Sequence, residues 1–231
     1  MISVIVPLYN EGELLGKLVS YLDNLEGIGE VVLVDASDAP GSVEIFQQLK
    51  ADSSSRFSFS KAAVPGRGAQ MNQGARLSTG EKLLFLHCDT RLPENAAVLV
   101  ENALCSSRQW GRFRVQLDAR DWMYRIIEKM INLRSRVRQL ATGDQAIFLS
   151  RAAFERVNGF PEALLMEDIE ISRRLRVLSP PSLIDEPVLT SARRWQNRGI
   201  TKTILLMWKL RFLYWIGVSP DRLARIYGDE R

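Results

Sequence analysis

The sequence predicts an α/β protein: a mostly parallel sheet flanked by helices on both faces, with a helical extension at the C-terminus. Three observations predict it. Over the first hundred residues, short apolar runs alternate with stretches of helical spacing. The runs are continuously apolar, as strands covered on both faces must be. The 231 residues are 46% hydrophobic and 25% charged, enough apolar material for the core of one large domain with an appended helical piece.

Taken in order, "SVIVPL" (3–8) reads as a buried strand. Behind it Leu14, Leu15, Leu18, Val19 and Leu22 recur at helical spacing. "EVVLVDASD" (30–38) is a second strand ending on an acid, "GSVEIFQQLK" (41–50) a second helix and "FSFS" (57–60) a weak third strand. "GAQMNQGARLSTG" is a helix closed by Gly80. "EKLLFLHCD" (81–89) is the next strand, and "LPENAAVLVENAL" a helix with Pro93 near its first turn. The second half is less regular. "WGRFRVQLDAR" alternates like a strand, and "DWMYRIIEKMINLRSRVRQLA" is a long helix with Trp122, Met123, Ile126, Ile127, Met130 and Ile131 on one side. "DQAIFLS" reads as a strand, "RAAFERVNG" as a short helix and "MEDIEISRRLRVL" as an amphipathic helix opening on acids. "PPSLIDEPVLTS" is broken by prolines and includes an edge strand.

Parallel sheets bind ligands beyond the carboxyl ends of their strands. Three strand ends here carry polar groups: Tyr9-Asn10-Glu11, Asp35 and Asp89. All three are expected on one edge. Cys88 and Cys105 fit no zinc spacing and are too few for a disulfide framework. The start, "MISVIVPLYN", has no basic stretch before its apolar run, which argues against a signal peptide and for a reducing, cytoplasmic location. The formal charge of +4 is unevenly spread. Residues 112–138 hold 8 basic and 3 acidic side chains, and residues 193–231 hold 9 and 3, leaving −7 for the rest. Each basic segment is either a solvated surface or a face for an anionic partner. A nucleic-acid module would leave the acids at three strand ends unexplained.

The pieces "SVIVPLYNE", "VVLVDASD", "LLFLHCDT", "GDQAIFLSRAAFERVNGFPE", "MEDIEISRRL" and "RRW" occur in the order found in the family 2 glycosyltransferases, over residues 2 to 199. The chain most resembles the small bacterial members that carry "LHADT". The resemblance implies the GT-A fold, a Rossmann-type sheet, for a catalytic domain over 1–199, with 200–231 a helical extension of the same unit. It implies a nucleotide-sugar donor held by Pro7, Tyr9 and Glu11, with Asp35 on the base or ribose. The second acid of that pair is replaced by Ala36. The family's D-x-D metal motif falls on His87-Cys88-Asp89, so Asp89 is the implied ligand of a divalent ion (Mn or Mg). Asp168, beside Glu167, is the implied catalytic base; a helix N-cap is the alternative reading. "SARRWQNRG" resembles the Q-x-x-R-W motif with Ser191 in place of Gln, which implies a diphosphate contact for Arg194, a sugar contact for Trp195 and a non-processive enzyme.

The chemistry has its own logic. A departing nucleoside diphosphate builds negative charge, which a hard divalent ion or basic side chains neutralise. Arg67 lies between glycines that let the backbone approach a phosphate; a surface loop charge is the other reading. Inverting transfer needs a base to take the acceptor's proton, and a carboxylate at a helix start is kept ionised there. Asp144 either borders the acceptor or sits in a plain turn. Residues 203–218 are nearly all apolar, interrupted by Lys209 and Arg211, and too short between charges to span a bilayer. They pack on the core or lie on a membrane surface, and their positive charge favours a membrane or lipid-acceptor contact. A nucleotidyltransferase would share the metal site, but the Gly-rich basic loop it needs after the first strand is missing. With one histidine and no G-x-S-x-G, Walker A or G-x-G-x-x-G motif, hydrolase and P-loop readings fall away.

Overall fold

A computed structural model gives the architecture and describes residues 1–37, 45, 47–48, 56–64, 66–105 and 107–229. The first elements are β1 (Ile2–Leu8), α1 (Gly12–Asp23), β2 (Ile28–Asp35), β3 (Phe57–Lys61), α2 (Arg67–Leu77), β4 (Lys82–Phe85), β5 (Thr90–Arg91) and α3 (Ala96–Ala103). There follow β6 (Trp110–Leu117), α4 (Trp122–Arg138), a 3-10 turn (Gly143–Gln145), β7 (Phe148–Ser150), α5 (Arg151–Arg156) and α6 (Glu167–Leu178). Last come β8 (Ser182–Thr190), α7 (Arg193–Arg198), α8 (Ile200–Trp215) and α9 (Pro220–Asp229). The helix expected over 41–50 lies outside the described residues apart from Ile45, Gln47 and Gln48.

The strands form one eight-stranded sheet in the order β3-β2-β1-β4-β7-β6-β8-β5. The run from β3 to β4 is parallel, and β7 and β5 run antiparallel to their neighbours. The continuous apolar strands have the expected cause. Val4 and Val6 enter one core with Leu15 and Leu18 of α1, while Ile5 enters the other with Met71, Phe85 and Ile171. Register then fixes the functional edge: Leu8 pairs with Asp35, and Ile5 with Phe85, so the chain beyond β1, β2 and β4 surfaces on one side.

Three expectations are refined. The strand foreseen over 144–150 begins only at Phe148, because Thr142 and Gln145 close a capping box over the 3-10 turn. The segment 180–191 lies inside the sheet order, yet β5 covers it only at Leu189 and Thr190. Pro187 thus stands on an otherwise open edge, opposite a register shift in β6. Finally, α4 does not bury the single side foreseen. Tyr124, Ile127, Glu128 and Ser135 turn inward, whereas Trp122, Ile126 and Met130 are exposed.

Candidate active site

Beyond β1 the chain turns through Asn10, whose φ is +55°, and enters α1 after Glu11. Asp35, at the end of β2, is wholly buried and accepts from the backbone N–H and hydroxyl of Ser37; Lys61 Nζ lies 3.2 Å from its other oxygen. Ser37 Oγ accepts from Asn10 N at 2.7 Å, joining the β1 and β2 ends. Gln70 of α2 clamps the same ends, donating to Leu8 O and Val34 O at 2.7 and 2.8 Å. Pro7 is half-buried at the end of β1 and Tyr9 is half exposed beyond it.

The segment after β4 carries His87, Cys88 and Asp89. His87 Nε2 is buried with no hydrogen-bond partner among the described residues. Burial, with Arg67 and Arg194 nearby, holds this imidazole well below its usual range, so it is neutral. Burial pushes the Cys88 thiol up to about 12, with Glu11 and Asp89 adding to the shift. Burial also raises Asp89, opposed by Arg193 and Arg194 and reinforced by Asp144.

A short antiparallel ladder explains how those arginines arrive. β5 follows Asp89 directly and pairs Thr90 with Thr190 at the end of β8. The two threonine hydroxyls hydrogen-bond at 2.9 Å, and Ser191 N donates to Asp89 O. Arg193 and Arg194 begin the next helix, and Arg193 reaches Glu11 at 3.6 Å. Trp195 turns away: it is half-buried against Tyr124, Ile127, Ala192 and Leu117.

The second acidic group comes from α6. Asn72 of α2 holds the turn before it, exchanging two 2.9 Å bonds with Phe160. Glu167 is buried, 3.5 Å from Arg67 Nη1, and burial plus Asp168 push it up to about 7. Asp168 accepts from Gly143 N at 3.0 Å and from Ile169 N at 2.7 Å. Burial raises its pKa, and these two N–H groups oppose the rise. A Cβ on Gly143 would lie 2.4 Å from His87 Nε2, so the turn and the imidazole are in close contact. This contact links the β4 end to Asp168. Asp144 Oδ1 is buried and unpartnered among the described residues. Its charge, with that of Asp168, is felt by Arg134 of α4 and Arg211 of α8.

The glycosyl transferase family 2 model matches residues 3–105. Through that segment the chain is similar to glycosyl transferase family 2. No curated protein matches the sequence. The mannosyltransferase PcManGT of Pyrobaculum calidifontis, solved with GDP-Man and Mn2+, superposes with a TM-score of 0.65 at 18% identity, over 82% of this chain and 56% of its own. TarS of S. aureus gives the same score and identity over 83% and 36%; TarS 1–349 with UDP-GlcNAc does so over 82% and 58%. The fold is therefore that of the GT-A glycosyltransferases, and the chain spans less than two thirds of each solved protein.

Among the described residues, no group of three His, Cys, Asp or Glu side chains gathers to hold a metal ion. What the candidate site offers a hard divalent ion is Asp89 with Asp144 Oδ1, which has no hydrogen-bond partner among the described residues, near it: oxygen donors of the right kind but few. Sequence reasoning missed Gln70, Ser37, Arg134, Arg193 and Arg211. Only Arg193 had a visible signal, as the neighbour of Arg194; the others are ordinary polar residues until the fold brings them in.

Proposed function

We propose that the chain transfers a glycosyl group from a nucleoside-diphosphate sugar to an acceptor hydroxyl with inversion at the anomeric carbon. The observation that supports this most is the gathering of Glu11, Asp89, Asp144, Glu167 and Asp168 with Arg67, Arg193 and Arg194 beyond the carboxyl ends of parallel strands. The family match over residues 3–105 and the donors bound by the superposed structures, GDP-Man and UDP-GlcNAc, point the same way.

In this reading Pro7, Tyr9 and Glu11 border the nucleotide and Asp35 supports its base or ribose from below. Asp35 acts largely by holding Ser37 and Lys61 in place, since both already occupy its oxygens. Asp89, with Asp144, holds the divalent ion, which when bound neutralises charge on the leaving diphosphate. Arg193 and Arg194 share that task from the other side of Asp89, and Arg67 from the start of α2. Trp195 is committed to packing and is not given a sugar contact.

Asp168 is the base. Its two N–H bonds hold the carboxylate in one orientation and favour the charged form that must accept the proton. Beside it, burial and the charge of Asp168 raise Glu167 to about 7, with Arg67 opposing the rise. The test is Asp168→Asn and Asp89→Ala, assayed by nucleotide release from UDP- and GDP-sugars with Mn2+ and a panel of acceptors. Asp168→Asn is expected to lose about 10²- to 10⁴-fold in rate while still binding nucleoside diphosphate. Asp89→Ala is expected to lose its response to Mn2+. Full-rate transfer by both variants would remove the proposal.

A further inference from the structure

Two helices leave long apolar stripes uncovered. On α4, Trp122, Ile126, Met130, Leu133 and Val137 are 68, 46, 45, 63 and 73% exposed. At 3.6 residues per turn these five fall within an arc of about 80°. On α8, Leu205, Trp208, Phe212 and Trp215 are 59, 56, 59 and 73% exposed, and Ile216 continues the row. Exposed apolar side chains are ordinary when scattered; two aligned rows are not. The two helices meet. Tyr124, Ile127 and Ile131 of α4 share one cluster with Ile200 and Ile204 of α8, and none of the exposed row residues belongs to it.

The flanks are cationic. Lys129 and Arg136 are exposed beside the α4 stripe, and Lys202 and Lys209 beside that of α8. Leu133 also lines a cleft where Arg112, Arg114, Arg125, Lys129 and Arg136 outnumber Glu128 and Asp185, which pair with Arg125 and Arg136. Three of the chain's five tryptophans, Trp122, Trp208 and Trp215, lie on these rows. Among the described residues no helix is long and apolar enough to cross a membrane. Aromatic and aliphatic rows flanked by lysine and arginine suit the boundary between lipid headgroups and acyl chains.

We propose that α4 and α8 together form a docking surface for an anionic lipid bilayer. The apolar rows enter the headgroup boundary while the flanking cations meet anionic headgroups. This assignment does not depend on glycosyl transfer. The test is flotation of the full chain with vesicles of phosphatidylcholine alone, or with about one third phosphatidylglycerol. Binding to the anionic vesicles is expected, with a blue shift of tryptophan emission and release at high salt. Trp208→Ser with Trp215→Ser, and separately Lys129→Glu with Lys209→Glu, are each expected to lower binding about tenfold with nucleoside-diphosphate binding unchanged. All four positions are exposed, so folding is not at stake, and circular dichroism checks it. No flotation with anionic vesicles overturns the proposal. So does a dimer in buffer that the tryptophan variant dissociates, since the rows would then cover a second copy.

Discussion

Glu167 shows how one residue ties the site to stability. Its folded pKa, about 7, lies above the ordinary value of 4.5 because burial and Asp168 disfavour its charge. Between those values the folded chain keeps a proton that the unfolded chain releases. Its contribution is therefore fully present below about pH 4.5 and is lost as the pH rises through 7. Glu167→Gln removes that loss. Denaturant unfolding from pH 5 to pH 8 is expected to show a smaller decline for the variant, the difference reaching on the order of 3 kcal/mol. Identical pH slopes would contradict the origin assigned to the shift. The sequence announced Glu167 and Asp168 as an acidic pair but not the groups that face them. Those are Gly143 N–H at Asp168 and Arg67 at Glu167, brought in from elsewhere in the chain.

Among the elements, α2 does the most to shape the edge. Gln70 closes the ends of β1 and β2 and Asn72 closes the turn before α6, so one helix positions both the Asp35 side and the Asp168 side. Gln70→Leu removes one donor from each of two buried carbonyls, although Leu8 O keeps its bond from Ala36 N. A loss of about 2 kcal/mol in urea unfolding is expected, with weaker nucleoside-diphosphate binding. Unchanged stability would mean that other donors replace the amide. The strands β1, β2 and β4 were legible in the sequence because burial on both faces leaves an unbroken apolar run. β5 was not, since two residues hold no period. The outward row of α4 was not legible either: an apolar spacing shows that a helix has sides, and only packing shows which side is covered.

At the scale of the molecule, the C-terminal helices support the start of α6 from outside. Leu206 and Leu210 of α8 and Leu223 of α9 pack on Met166, the residue before Glu167, and Tyr214 Oη lies 3.3 Å from Glu170. A chain ending at Gly199 loses that support. It is expected to melt roughly 5–10 °C lower and to lose transfer while retaining much of its nucleotide binding, which rests on β1, β2 and β4. Calorimetry and nucleotide titration of the shortened chain check both parts; equal loss of the two functions would show that the extension shapes the whole edge.

The rung between Thr90 and Thr190 joins positions a hundred residues apart. During synthesis, then, the ribosome releases Asp89 long before the arginines that will sit beside it. Until the last quarter of the chain emerges, the acids have no counter-charges from that side, and closing so long a loop is slow.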